Sequence, residues 1–165
     1  MRVFAISGYS GTGKTSLVEQ VIKALSEEGY TVVTAKTSIH DVKEVEGTDT
    51  WKHIKAGAKT AAILGPHSAV IRHAVGKSLQ DIFAGIDADF LIIEGMKESK
   101  IPKIWCIGNT DVDKGKIPES TKAVVGWVRR EKGVELEVPF LKTDDIGKIV
   151  SIVKQEAIEL SQDKA

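Results

Sequence analysis

A single cysteine, Cys106, stands in 165 residues, which excludes an internal disulfide and any all-cysteine zinc site. Neither sign of charge is in excess: 23 basic side chains face 23 acidic ones. Nothing therefore marks a surface built to wrap nucleic acid or coat an anionic membrane. No apolar run reaches the roughly 18 residues that a membrane-spanning helix needs. The start of the chain, Met1 to Ile6, is only briefly apolar before Gly8, too short for the core of a signal peptide. The expectation is a soluble, cytoplasmic protein with neither nucleic acid nor membrane as partner. Internal repeats and low-complexity tracts are missing too. Arginine is scarce, with Arg2, Arg72 and the adjacent Arg129 and Arg130. What remains is 42% hydrophobic and 28% charged, near the average for a globular domain. The length suits one domain over residues 1–165, able to bury about two thirds of its unfolded surface.

Short apolar runs over residues 2–7, 31–35, 90–93, 104–107 and 123–125 read as strands without alternation. Residues 15–28 carry Leu17, Val18, Val21, Ile22 and Leu25 on one helical face, and Gly29 follows as a stop. A short helix is expected over 50–56, and strands over 60–64 and 69–72 around the turn Gly65-Pro66-His67-Ser68. Ser78 is placed to cap a helix running to Gly85, with Leu79, Ile82 and Phe83 inward. Asp144 or Asp145 caps a final helix carrying Ile146, Ile149, Val150, Val153, Ala157 and Leu160. Unalternating strands interleaved with helices predict a three-layer α/β fold around a mostly parallel sheet.

The sharpest motif is Gly8-Tyr9-Ser10-Gly11-Thr12-Gly13-Lys14-Thr15, a full glycine-x4-glycine-lysine-threonine P-loop (Walker A) between an apolar strand and an amphipathic helix. The fold class thus becomes that of the P-loop NTPases. Glycines let backbone amides approach an oxyanion where a Cβ would clash, and the start of the helix adds positive dipole. Gly8, Ser10, Gly11, Thr12, Gly13, Lys14, Thr15 and Ser16 form the expected phosphate cradle. Lys14 reaches the β- and γ-phosphates, and the Thr15 hydroxyl is a Mg²⁺ ligand. Mg²⁺ also wants carboxylates. Glu94 ends the strand Phe90-Leu91-Ile92-Ile93, at the sheet edge where ligands of open α/β sheets sit, and Gly95 permits close approach. Asp49, in Gly47-Thr48-Asp49-Thr50, reads equally as a second metal carboxylate or as a helix N-cap. Asp89 opens the same strand as Glu94 at its far end and is expected to cap or face water.

Lys36 and Lys97 fall at the same rim as anion contacts, although a solvated lysine also accounts for each. His40, His53, His67 and His73 lack the paired spacing of a zinc site. Cys106 lies within a strand as a small core residue. Trp51, Trp105 and Trp127 are scattered, and a core or interface role is expected for them rather than base stacking. Gly108-Asn109-Thr110-Asp111 lacks the lysine of a guanine-reading loop, so the residues do not choose the base.

Further segments come in the order found in one family. Lys36-Thr37-Ser38-Ile39-His40 follows the P-loop, then Gly47-Thr48-Asp49-Thr50-Trp51-Lys52-His53 running into Ala56-Gly57-Ala58. Phe90-Leu91-Ile92-Ile93-Glu94-Gly95-Met96-Lys97 and Ile101-Pro102-Lys103-Ile104 complete the series. Over residues 2–108 the chain resembles the molybdopterin-guanine dinucleotide biosynthesis protein B (MobB) family. The resemblance implies a homodimeric GTP-binding protein with Mg²⁺ and weak GTPase activity, with Lys14, Asp49 and Glu94 at the reacting phosphates and Thr15, Asp49 and Glu94 on the metal. It also implies an accessory role beside the guanylyltransferase that joins GMP to molybdopterin, with molybdopterin as a further ligand and molybdoenzymes as further partners. The chain departs from the family in having Thr37-Ser38-Ile39-His40 where a second histidine usually follows the lysine. Two other readings share the P-loop. A small-molecule kinase using ATP or GTP would want an arginine-rich lid, for which Arg129-Arg130 is the only cluster. A binding module would use its nucleotide to control docking. Without an arginine finger, slow turnover is expected.

Overall fold

The computed structural model describes residues 1–38, 40–42, 45–127 and 136–160. In chain order the elements are β1 (Arg2–Gly8), α1 (Lys14–Glu27), β2 (Val32–Lys36), α2 (Asp49–Lys55), β3 (Thr60–Leu64), β4 (Ala69–His73), α3 (Leu79–Phe83), β5 (Phe90–Glu94), β6 (Lys103–Gly108), β7 (Thr121–Gly126), β8 (Phe140–Lys142), α4 (Ile146–Glu156) and β9 (Ile158–Glu159). They form two compact units, residues 1–37 with 86–160, and residues 38–85.

The first unit is a sheet in the order β2-β5-β1-β6-β7-β8, parallel throughout this path. The reason lies in the strands' composition: runs apolar on both faces must be covered on both, which parallel sheets with crossover helices achieve. Phe4 and Ile6 of β1, Phe90 and Ile92 of β5, Ile104 and Cys106 of β6 and Val125 of β7 point to one face. Leu17, Val18, Val21 and Leu25 of α1 and Ile149, Val150 and Val153 of α4 close over them. Burial pushes the Cys106 thiol up to about 12, so Cys106 is the inert core residue its position predicts. On the opposite face Trp105, Ile107 and Val124 pack against Val112, Ile117, Leu136, Val138 and Phe140. The sheet is mostly parallel with flanking helices, as expected.

The last helix departs from its periodicity. Its pattern continues to Leu160, yet α4 stops at Glu156 and Ala157 turns extended. The parallel pairing of β6 begins only at Ala5, and Arg2 and Val3 are instead paired by Glu159 and Ile158 of β9, antiparallel. Backbone groups at the start of β1 need partners, and satisfying them outweighs two more residues of helix. Asp145 is the N-cap of α4 but makes no side-chain cap; its carboxylate accepts instead from the Lys142 backbone N–H at 3.0 Å. Asp89 accepts from the Thr31 backbone N–H at 2.8 Å and the Thr31 hydroxyl at 2.7 Å, tying the start of β5 to the entry of β2.

In the second unit β3 and β4 form an antiparallel hairpin from Thr60↔His73 to Leu64↔Ala69, closed by Gly65 N–H on the Ser68 carbonyl at 2.8 Å. Ser78 caps α3 in a reciprocal capping box with Asp81. That helix ends at Phe83 rather than Gly85, and Ile82, expected inward, is exposed. Ile63, Leu64, Val70 and Ile71 of the hairpin are exposed as well.

Candidate functional site

The loop after β1 follows from where glycine stands. Gly8 has φ 143°, and a Cβ there would collide with the Cys106 carbonyl of β6, so only glycine lets the chain leave the strand at this angle. Thr12 donates its hydroxyl to the Tyr9 carbonyl at 2.8 Å and fixes the loop's width. Gly13, left-handed at φ 83°, is the N-cap of α1 and offers no side-chain acceptor to the first turn. No acidic side chain stands in that turn either. The first amides of the helix thus keep their partial positive charge for an outside anion. The Lys14 ammonium bonds the Tyr9 carbonyl, which holds its charge across the mouth of the loop.

Sheet register delivers the carboxylate. Lys36 of β2, Glu94 of β5 and Ile6 of β1 lie abreast, at the carboxyl ends of parallel strands. Glu94 is largely buried; its Oε1 accepts from the Thr15 hydroxyl at 2.9 Å and pairs with the Lys36 ammonium at 3.1 Å. Octahedral ligands about 2.0–2.1 Å from Mg²⁺ stand about 2.9 Å apart. The Thr15–Glu94 spacing therefore suits two neighbouring ligands of one such ion. Among the described residues no three His, Cys, Asp or Glu side chains gather into a metal cage, so an ion here would draw its other ligands from phosphate and water.

The turn after Glu94 is held from three sides, by residues to which the sequence alone gives no site role. Gly95, at φ 115°, leaves room for the Thr37 hydroxyl where a Cβ would sit. That hydroxyl accepts from the Met96 N–H at 3.0 Å, and the Thr37 N–H donates to the Glu94 carbonyl at 3.0 Å. Ser7, fully buried, donates to the Gly95 carbonyl. Lys103, also fully buried, donates to the carbonyls of Met96 (2.9 Å), Lys97 (2.8 Å) and Ser99 (2.7 Å). Burial holds its ammonium below the ordinary lysine range. Its signal in the sequence is a lysine inside the apolar run Ile101 to Cys106. The Lys97 ammonium lies 5.1 Å from the centre of the Tyr9 ring, beside the P-loop.

Gly8, Ser10 to Ser16, Lys36, Glu94, Gly95 and Lys97 thus gather around one loop. Asp49 belongs to the second unit, where it pairs with Lys52 at 3.4 Å. Thr48, not Asp49, is the N-cap of α2, accepting from the Trp51 N–H at 3.4 Å; the hydroxyl one residue earlier has the extended backbone that capping requires. Trp105 is core, as expected, but Trp127 is exposed. Arg129 and Arg130 lie outside the described residues.

A parallel sheet, a glycine-bounded loop feeding a helix and a carboxylate on the neighbouring strand make this an α/β protein of P-loop NTPase-like fold. The crystal structure of Bacillus subtilis MobB superposes with TM-score 0.76 at 20% identity over 96% of this chain and 99% of that one. A MobB homologue from Bacillus stearothermophilus gives 0.70 at 22% identity, covering 94% and 97%. The chain belongs to the family described as molybdopterin guanine dinucleotide synthesis protein B, MobB, whose model matches residues 3–129. The molybdopterin-guanine dinucleotide biosynthesis adapter protein of Haemophilus influenzae is 32% identical over 62% of this chain and 61% of its own length. A relative from Methanocaldococcus jannaschii, also named as an adapter in that biosynthesis, is 33% identical over 67% of this chain and 49% of its own. The chain spans about half to three fifths of the length of these relatives.

Proposed function

We propose that this chain is a GTP-binding adapter in molybdopterin guanine dinucleotide biosynthesis, a slow Mg²⁺-dependent GTPase that assists the guanylyltransferase attaching GMP to molybdopterin. Family membership supports the pathway, and the adapter names of the relatives support the role. The observation that carries nucleotide binding is the Thr15–Glu94 contact at 2.9 Å beside an uncapped helix start and the Lys14 ammonium. In this reading the amides of residues 11–15 bind the β-phosphate, Lys14 spans the β- and γ-phosphates, and Thr15 and Glu94 hold the metal. Ser10 and Ser16 flank the cradle, while Lys36 and Lys97 neutralise its rim. Asp49 is the second carboxylate that the family resemblance brings. When bound, Mg²⁺ supplies charge neutralisation on the phosphate oxygens. None of the side chains bonded to Lys14, Thr15 or Glu94 among the described residues is an arginine or glutamine. Stabilisation of the transferring group then falls to Lys14 and backbone dipoles, and turnover without a partner is slow.

The working form is a homodimer acting in the cytoplasm, with molybdopterin as a further ligand and molybdoenzymes as recipients. The exposed Ile63, Leu64, Val70 and Ile71 on a hairpin paired only to itself among the described residues support association through that hairpin. Among the described residues no helix is long and apolar enough to cross a membrane. The test is calorimetric. Lys14→Ala lowers GTP affinity at least tenfold in the presence of Mg²⁺, and an unchanged affinity would discard the site assignment.

A further inference from the structure

Two different rims flank the P-loop. β1 lies between β5 and β6. The β5 and β2 side is charged and polar, with Glu94, Lys36 and the clamped turn to Lys97. The β6 and β7 side is built differently. Gly108 ends β6, and a Cβ there would lie 3.0 Å from Thr12 Cα, so the strand end is flush with the loop. Gly126 ends β7, where a Cβ would meet Ile107 Cγ1 at 2.7 Å and the Gly108 carbonyl oxygen at 3.1 Å. Gly108 thus brings the end of β6 against the loop, and Gly126, in register with it, brings the end of β7 against β6. The next residue is Trp127, whose N–H donates to the Gly108 carbonyl at 2.8 Å.

That bond fixes the backbone from which the indole projects. Its Cζ2 lies 3.5 Å from the position of a Cβ on Gly13, the residue that opens α1. The residue is nevertheless 58% exposed, and no second aromatic ring among the described residues meets it. A large flat apolar surface is therefore held by backbone at the edge of a phosphate cradle, on the side away from the carboxylate. Nucleoside triphosphates carry one flat aromatic group, tethered to the end of the phosphate chain opposite the γ-phosphate. With the metal carboxylate on the β5 side, the γ end belongs there, and the tether leads the base toward β6 and β7.

We propose that Trp127 is the platform on which the purine of the bound nucleoside triphosphate stacks. The proposal rests on the nucleotide-binding reading above and names the surface that takes the base. Stacking uses the π-face that every purine presents, so it contributes affinity without selecting guanine over adenine. Trp127→Ala therefore weakens GTP and ATP by the same factor.

The test titrates the full chain with GTP, ATP and inorganic tripolyphosphate in Mg²⁺, comparing wild type with Trp127→Ala and Trp127→Phe. Base–aromatic stacking predicts a loss of about 10- to 100-fold for GTP in the alanine variant. Tripolyphosphate affinity stays unchanged, and phenylalanine restores most of the GTP affinity. GTP also quenches tryptophan emission in the wild type, tripolyphosphate does not, and the quench vanishes in both variants although Trp51 and Trp105 remain. Unchanged GTP affinity in the alanine variant, with no quench in the wild type, overturns the platform and leaves phosphate binding intact. Equal loss of GTP and tripolyphosphate also overturns it, because the indole would then be shaping the loop. A wild type that binds neither ligand removes the nucleotide reading, and the platform with it.

Discussion

The two units of the chain spend apolar residues in opposite ways. In residues 1–37 with 86–160, the strands β1, β5 and β6 are buried nearly throughout, and helices α1 and α4 cover one face. In residues 38–85 a comparable supply of Ile, Leu and Val sits on a two-stranded hairpin, where Leu64 is 80% and Val70 65% exposed. Hydrophobic composition is alike; the number of covering layers is not. A two-stranded ribbon has too little around it to bury its own side chains. The lesson is that burial is a property of the layer count, and that apolar residues without a layer mark a surface available to another molecule.

The largest effect should come from the covered unit. Phe4→Ala, deleting a ring with no exposure between α1 and the sheet, is expected to cost about 3–5 kcal/mol in a denaturant titration. A loss below 1 kcal/mol would mean the two units are not as different as burial indicates. Next comes Lys103. Replacing it by Met takes the ammonium from the half-buried carbonyls of Met96, Lys97 and Ser99, of which Met96 keeps the Ser99 hydroxyl and Ser99 keeps the Ser120 hydroxyl, at a cost of about 1–3 kcal/mol. Its pH signature is separate. Burial puts the folded pKa below the unfolded one, so between those values the unfolded chain binds the extra proton and stability rises with pH. That alkaline rise should be smaller in Lys103→Met, and an identical profile would deny the ammonium its buried setting.

A smaller effect belongs to the hairpin. Ile71→Asp should leave the unfolding midpoint almost unmoved, within about 0.5 kcal/mol, while shifting sedimentation toward the monomer. Strong destabilisation of the monomer would show that the hairpin face is covered from within. The smallest effect concerns Asp89, whose carboxyl the Thr31 hydroxyl and N–H hold below the usual carboxylate range. A lowered folded pKa gives stability that is present above the unfolded value and lost as pH falls through the folded one. Asp89→Asn should therefore flatten the acid limb of stability relative to wild type; parallel curves would remove the tie between β2 and β5 as an acid-sensitive contact.

The P-loop was readable because its chemistry is local: strand, glycines, lysine, threonine and helix are consecutive, and their roles need only backbone geometry and one ammonium. Glu94 was readable because an apolar run ending on a carboxylate before glycine can be placed on a sheet edge without knowing its neighbours. Asp49 was half readable; its helix was found, but capping is decided by one residue's backbone angle, and that residue proved to be Thr48. Other features had no local signature. Ser7 of β1, Thr37 just past β2 and Lys103 of β6 converge on the turn at Gly95, and β9 exists because β1 starts before its neighbour β6 does.

Trp127 divides the two kinds of information most clearly. Composition and position alone put Trp127 in a core or an interface and do not choose between them. Two glycines ending adjacent strands and a backbone bond to Gly108 set its backbone, and its ring lies beside Gly13, exposed. Periodicity and motif chemistry act over a few neighbouring residues, so one chain's letters suffice to give the parallel α/β class and the glycine-bounded loop between β1 and α1. Clamps, edge pairings and exposed rings beside a loop are made by groups dozens of residues apart, whose meeting depends on strand order and register, and those exist only in the folded molecule.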